Sequence, residues 1–210
     1  MVPGRLQVMT GPDLKATLLL YLTRGREALL WKLDGLGEYE IRRPMTPTAT
    51  SLLGLLKHEA WTETGYFGEV FGRPFPEAPP WEDGGDSDPN ADMWATAAET
   101  RADITGLARR AWAHADATIS ALDLDAPGRV PWWPDERNSV TLHQILVHVA
   151  TEAHRHAGHA DIVRELIDGA AGLRSDNSNL PDVAPGYWER HREAVEAAAV
   201  AAARQARGPA

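Results

Sequence analysis

Between His148 and Ala160 the chain reads HVATEAHRHAGHA, which places four histidines and a glutamate in a stretch with helical spacing. At 3.6 residues per turn, His148, Glu152, His156 and His159 fall within an arc of about 80°. Ile145, Val149 and Val163 lie in or beside the same arc. The polar stripe therefore occupies the face that apolar spacing assigns to the core. Titratable groups on a core face are costly unless they are paired, hydrogen-bonded or bound to a metal. Any fold of this chain has to supply partners for that stripe, and this conflict between pattern and chemistry points to a site.

The rest of the chain reads as helices. Leucines and Tyr21 recur at helical spacing over about 13–36, with Asp13 placed to cap the start. A second helix is expected over about 50–71, capped by Thr50 or Ser51 and ended by Gly72 and Pro74. A long Pro-, Gly- and Asp-rich loop, 73–90, follows, and loops of that length are often functional or mobile. The third helix is expected over about 91–122, and an irregular stretch with Trp132 and Trp133 between two prolines comes next. The fourth spans about 141–169, from a Thr141 cap to a Gly169 stop, and a polar, Ala-rich fifth covers 186–207. No segment reads as a convincing strand. The expected fold class is all-α: a four-helix bundle with a crossover connection, in one domain with its core at about 11–170 and a C-terminal covering helix.

Composition narrows the function. The chain has 210 residues and a formal net charge of −9, a balance that disfavours phosphate backbones, so nucleic acid is not expected as a partner. It has no apolar run of about 18 residues, so no membrane span is expected. Its first residues lack a basic segment followed by an apolar one, which makes the cytoplasm the expected compartment. Cysteine is absent, so disulfides, zinc-thiolate sites and a cysteine nucleophile are excluded. Thiol chemistry here would need a thiol from outside the chain.

Glu152 and His156 stand four residues apart and project from one helix face. A catalytic metal site of the zinc type uses three protein ligands and an open position. The best third ligand is His58, in LLGLLKHEAWTE of the second helix, where Leu55, Thr62 and Tyr66 share its face. Spacing removes two rivals. A zincin motif would need histidine at Thr62. A di-iron bundle would need histidine three residues after Glu152, where the chain has Arg155. The remaining readings are a His, Glu, His set on two helices or a hydrogen-bonded polar network without metal. His148 and His159 are candidates to orient the ligands or to act as acid and base.

The pattern LLKHEAWTE together with HVATEAHRHAGHAD, continuing into DIVRELIDG, resembles the DinB-like or YfiT-like metal-binding bundle superfamily. The resemblance runs from the first helix to about 169. It is nearest to an actinobacterial subgroup and to mycothiol-dependent maleylpyruvate isomerase, which also has glutamate at the position of Glu152. It implies a divalent metal, zinc or nickel, held by His58, Glu152 and His156. It further implies a mycothiol-type thiol as cosubstrate, an S-transferase or isomerase activity on an electrophile, and a homodimer. In that setting Arg155 is a candidate to bind a carboxylate of thiol or substrate, against an ordinary salt-bridge role. Trp132 and Trp133 are candidates to line the mouth of the site, against simple loop packing. Trp61 and Tyr66 are assigned to the core. The alternative functions are a non-catalytic metal- or ligand-binding stress-response bundle and a metal-dependent hydrolase.

Overall fold

The computed structural model describes residues 13–77, 79 and 88–206. Most of the interior of the expected 73–90 loop, residues 78 and 80–87, lies outside the described residues.

Helix α1 (Leu14–Trp31) starts where the Asp13 carboxylate accepts the Lys15 and Ala16 amides. A turn and the short α2 (Glu38–Arg42) follow. Helix α3 (Leu52–Phe67) is capped by Ser51, whose Oγ accepts the Gly54 amide. Helix α4 runs from Arg101 to Ala121, not from about residue 91 as expected. Ala91–Met93 is a separate 3-10 turn. The reason is local: Lys57 Nζ takes the carbonyls of Ala91 and Trp94, which a continuous helix would need for its own amides. Thr100 and Asp103 then build a reciprocal cap that starts α4.

The stretch before the fourth long helix holds a hairpin that sequence spacing did not reveal. Strands β1 (Pro127–Arg129) and β2 (Ser139–Thr141) pair antiparallel, with Gly128 opposite Val140. The loop between them carries Trp132 and Trp133. Helix α5 (Leu142–Asp168) begins at Thr141, whose Oγ1 accepts the Gln144 amide, and stops at Gly169. Helix α6 (Tyr187–Ala206) belongs to a second unit that starts at Asn179, and none of its residues is buried. None of the described helices is long and apolar enough to cross a membrane.

The four long helices of the first unit form the all-α bundle. Helix α1 packs along α5, α3 along α4, and α3 also meets α5. The apolar core is divided in two. One cluster holds Leu29, Leu53, Leu56, Ile104, Ala108 and Ala157. The other holds Leu22, Phe67, Ile119, Ile145, Val149 and Ala153. Between them lies a polar layer. Arg26 on α1 donates Nε and Nη2 to the two oxygens of Glu63 at 2.8 and 2.5 Å, and Nη1 to Asp116 at 2.8 Å. Burial opposes the Arg26 charge, yet the two carboxylates leave its pKa raised on balance. Burial pushes the Glu63 carboxyl up, against the pull of Arg26.

Candidate functional site

The site is built where α3 meets α5. His58 stands on α3 and is partly exposed, while His156 stands on α5 and is buried. Their rings pack edge to face with centroids 4.8 Å apart. Glu152 lies one turn before His156, and its Oε2 is 3.7 Å from His156 Nε2. The three candidate ligands therefore come together as near neighbours. Among the described residues, however, no group of three His, Asp or Glu side chains stands ready-spaced to enclose an ion.

A residue outside the sequence-based candidates orients His58. Asp92 Oδ2 is 2.6 Å from His58 Nδ1, so Nδ1 carries the hydrogen and Nε2 is left for the cleft, 3.5 Å from Thr62 Oγ1. A carboxylate behind an imidazole is the usual support of a metal-binding histidine. The segment that brings Asp92 is clamped by the preceding residue. Lys57 Nζ holds Ala91 O at 2.7 Å, Trp94 O at 2.9 Å and Glu99 Oε1 at 2.7 Å. Gly54 allows this approach, because a Cβ there would overlap the Met93 carbonyl.

His156 is held neutral. Burial pushes its pKa down to about 4, and the charges of His58, His159 and Arg155 act in the same direction. A neutral imidazole is the form that binds a metal. Its Nδ1 is buried without a hydrogen-bond partner. Two imidazoles, one buttressed and one kept neutral, with a half-exposed carboxylate beside them, have the chemistry of a divalent-metal donor set.

A cleft of about 530 Å³ opens over His58 and Glu152, with the buried His156 behind them and outside its lining. Its lining includes His58, Glu152, His148, Trp61, Tyr66, Glu69 and Trp132. Among the described residues that line it, none is a lysine or an arginine. Trp132 reaches the cleft wall over Gly65, where a Cβ would stand 3.0 Å from the indole edge. Trp133 lies behind it, 6.0 Å from the Tyr66 ring. Tyr66, read from sequence as core, lines the cleft, and its hydroxyl meets His148 Nε2 at 3.0 Å. His159 packs its ring 5.6 Å from His156 but is exposed and is not part of the lining. Arg155 is exposed and also outside the lining; it acts on His156 only through its charge.

Glu59 is the other group that sequence reasoning passed over. It is fully buried, and neither carboxylate oxygen has a hydrogen-bond partner. Burial pushes its pKa well up; the charge of Glu63 adds to this, Arg26 opposes it, and Glu152 contributes in the upward direction. Its signal was present: Leu52, Leu56, Glu59, Glu63 and Phe67 follow one another at core spacing on α3.

Comparison with known proteins decides the family. A family model described as mycothiol-S-transferase matches residues 17–169. The chain belongs to the mycothiol-S-transferase family. The match reaches all four long helices of the first unit, starting within α1, and covers every candidate ligand. The crystal structure of a conserved protein from Enterococcus faecalis is similar in fold, with a TM-score of 0.54 and 17% identity. That similarity covers 76% of this chain and 99% of the other. No curated protein matches the chain.

Proposed function

We propose that this member of the mycothiol-S-transferase family joins a mycothiol-type thiol to an electrophile, by transfer or isomerisation, in the cleft over His58, Glu152 and His156. The observation that carries the reading is a buttressed imidazole and a carboxylate in the wall of an open cleft, with a neutral buried imidazole packed against them. The family match supports the thiol and the transfer chemistry. The absence of cysteine makes the thiol a separate molecule.

In this reading His58 Nε2, His156 Nε2 and Glu152 would hold a divalent ion, zinc or nickel. When bound, such an ion favours the deprotonated thiol at neutral pH. The protein groups do the rest. Asp92 keeps His58 in one tautomer. Burial keeps His156 uncharged, so it does not repel a cation. Glu152 would contribute one negative charge to the donor set, where a histidine in its place would contribute none. His148, in the cleft wall, would take the proton that the thiol gives up once the Tyr66 hydroxyl leaves its Nε2. Trp61, Tyr66 and Trp132 present apolar surfaces to the electrophile.

The test is elemental mass spectrometry of the wild type and His58→Ala, followed by mycothiol consumption against an aromatic alkyl halide. About one ion per chain is expected in the wild type, with both ion and turnover lost in the variant. A wild type that takes up neither zinc nor nickel overturns the metal assignment. Thiol consumption that persists in His58→Ala overturns the site.

A further inference from the structure

We infer that Tyr66 is a positioning residue that fixes the tautomer of His148, with the hydrogen on Nδ1 and with Nε2 as an acceptor. The inference rests on the proposed function only for the importance of His148; the tautomer is read without turnover.

The argument is a count of donors and acceptors. An indole N–H donates and accepts nothing, whereas a phenol has one hydrogen and two acceptor positions. Trp133 Nε1 lies 3.3 Å from the Tyr66 hydroxyl oxygen and Trp132 Nε1 lies 3.5 Å from it. Both bonds run into the oxygen, so the two acceptor positions are taken. The third partner, His148 Nε2 at 3.0 Å, has to receive the Tyr66 hydrogen. A neutral imidazole that accepts at Nε2 carries its hydrogen on Nδ1.

Ring packing supports this arrangement. The His148 ring meets Tyr66 edge to face at 4.8 Å and Trp133 at 5.2 Å. Gly65 leaves the space in which Trp132 lies. The hairpin therefore supplies two donors whose joint effect is to aim a hydroxyl hydrogen on α3 at a histidine on α5. His148 accepts nothing at Nε2 from the cleft until the Tyr66 hydroxyl turns away.

The test uses the metal-free full chain labelled with 15N, at pH 8, above the ordinary histidine range. Long-range proton–nitrogen correlation reports the tautomer, with His148→Gln to assign the resonances. The expected wild-type pattern has a protonated Nδ1 and an unprotonated, hydrogen-bonded Nε2. In Tyr66→Phe that pattern should be lost and the hydrogen should move toward Nε2. A wild type protonated on Nε2 overturns the inference, and this measurement stands even if the variant fails to fold. A folded Tyr66→Phe protein that keeps the wild-type pattern overturns it as well. Failure of the metal or turnover experiments above leaves this reading unaffected.

Discussion

Two polar clusters cross the same bundle, and they are finished in opposite ways. On the α1, α3 and α4 side, all three guanidinium nitrogens of Arg26 are matched to oxygens of Glu63 and Asp116. On the α3 and α5 side, His156 Nδ1 and both oxygens of Glu59 are buried with no partner. Residue type does not distinguish them, because each mixes acids and bases at core positions. What differs is closure. A cluster that satisfies itself holds helices together, whereas one that leaves atoms unused has bonding capacity for something else.

Breaking the closed cluster should have the largest effect. Arg26→Met strands two carboxylates, one of them fully buried, and should cost about 3–5 kcal/mol in urea unfolding. A loss near zero would mean that the layer is not what holds α1 to α3. Next comes the pH response of the metal-free protein. The His156 pKa falls from 6.5 to about 4 on folding, so above 6.5 there is no cost. As pH drops through that window the unfolded chain binds the proton first, so stability falls, and the loss is complete below about 4. At about 1.4 kcal/mol per unit this is on the order of 3 kcal/mol. It should appear as the difference between wild-type and His156→Gln stability curves, and parallel curves would contradict it.

Asp92→Asn tests the buttress. Loss of the carboxylate behind His58 should weaken zinc binding by about 10–100-fold in chelator competition, with α-helical content unchanged. Unaltered affinity would show that His58 needs no such support. The smallest effect is a gain. Glu59→Gln removes a carboxyl group whose burial disfavours its charge, and should stabilise the metal-free protein by about 1–2 kcal/mol at neutral pH. Destabilisation instead would show that Glu59 has a partner in solution.

The open cluster was the more legible of the two. His148, Glu152 and His156 announce themselves because they repeat with the helical period within one element, and His58 follows from an apolar face on another. The bundle class follows from the same periodicity. Asp92 left no such trace, because it reaches His58 from 34 residues away through a turn whose position depends on Lys57. That same turn explains the misplaced start of α4: periodicity continued through residues whose carbonyls are claimed by another helix. Tyr66 was assigned to the core since an aromatic residue at helical spacing carries no mark of which polar groups its hydroxyl meets. The Arg26–Glu63–Asp116 layer joins three helices, and nothing in a linear pattern pairs residues so far apart. The hairpin was missed because three-residue strands are too short for alternation to register.

Lys57 and His58 are neighbours in the chain and bind the same short segment from two directions. Lys57 grips its main chain at both ends and His58 holds one of its side chains. The two attachments therefore act on one segment. Any opening of residues 91–94 that carries the Asp92 backbone away from His58 has to break the bonds of a buried ammonium group. Slow exchange of the Met93 amide would measure that opening, and Lys57→Met would hasten it, with Asp92 itself left intact.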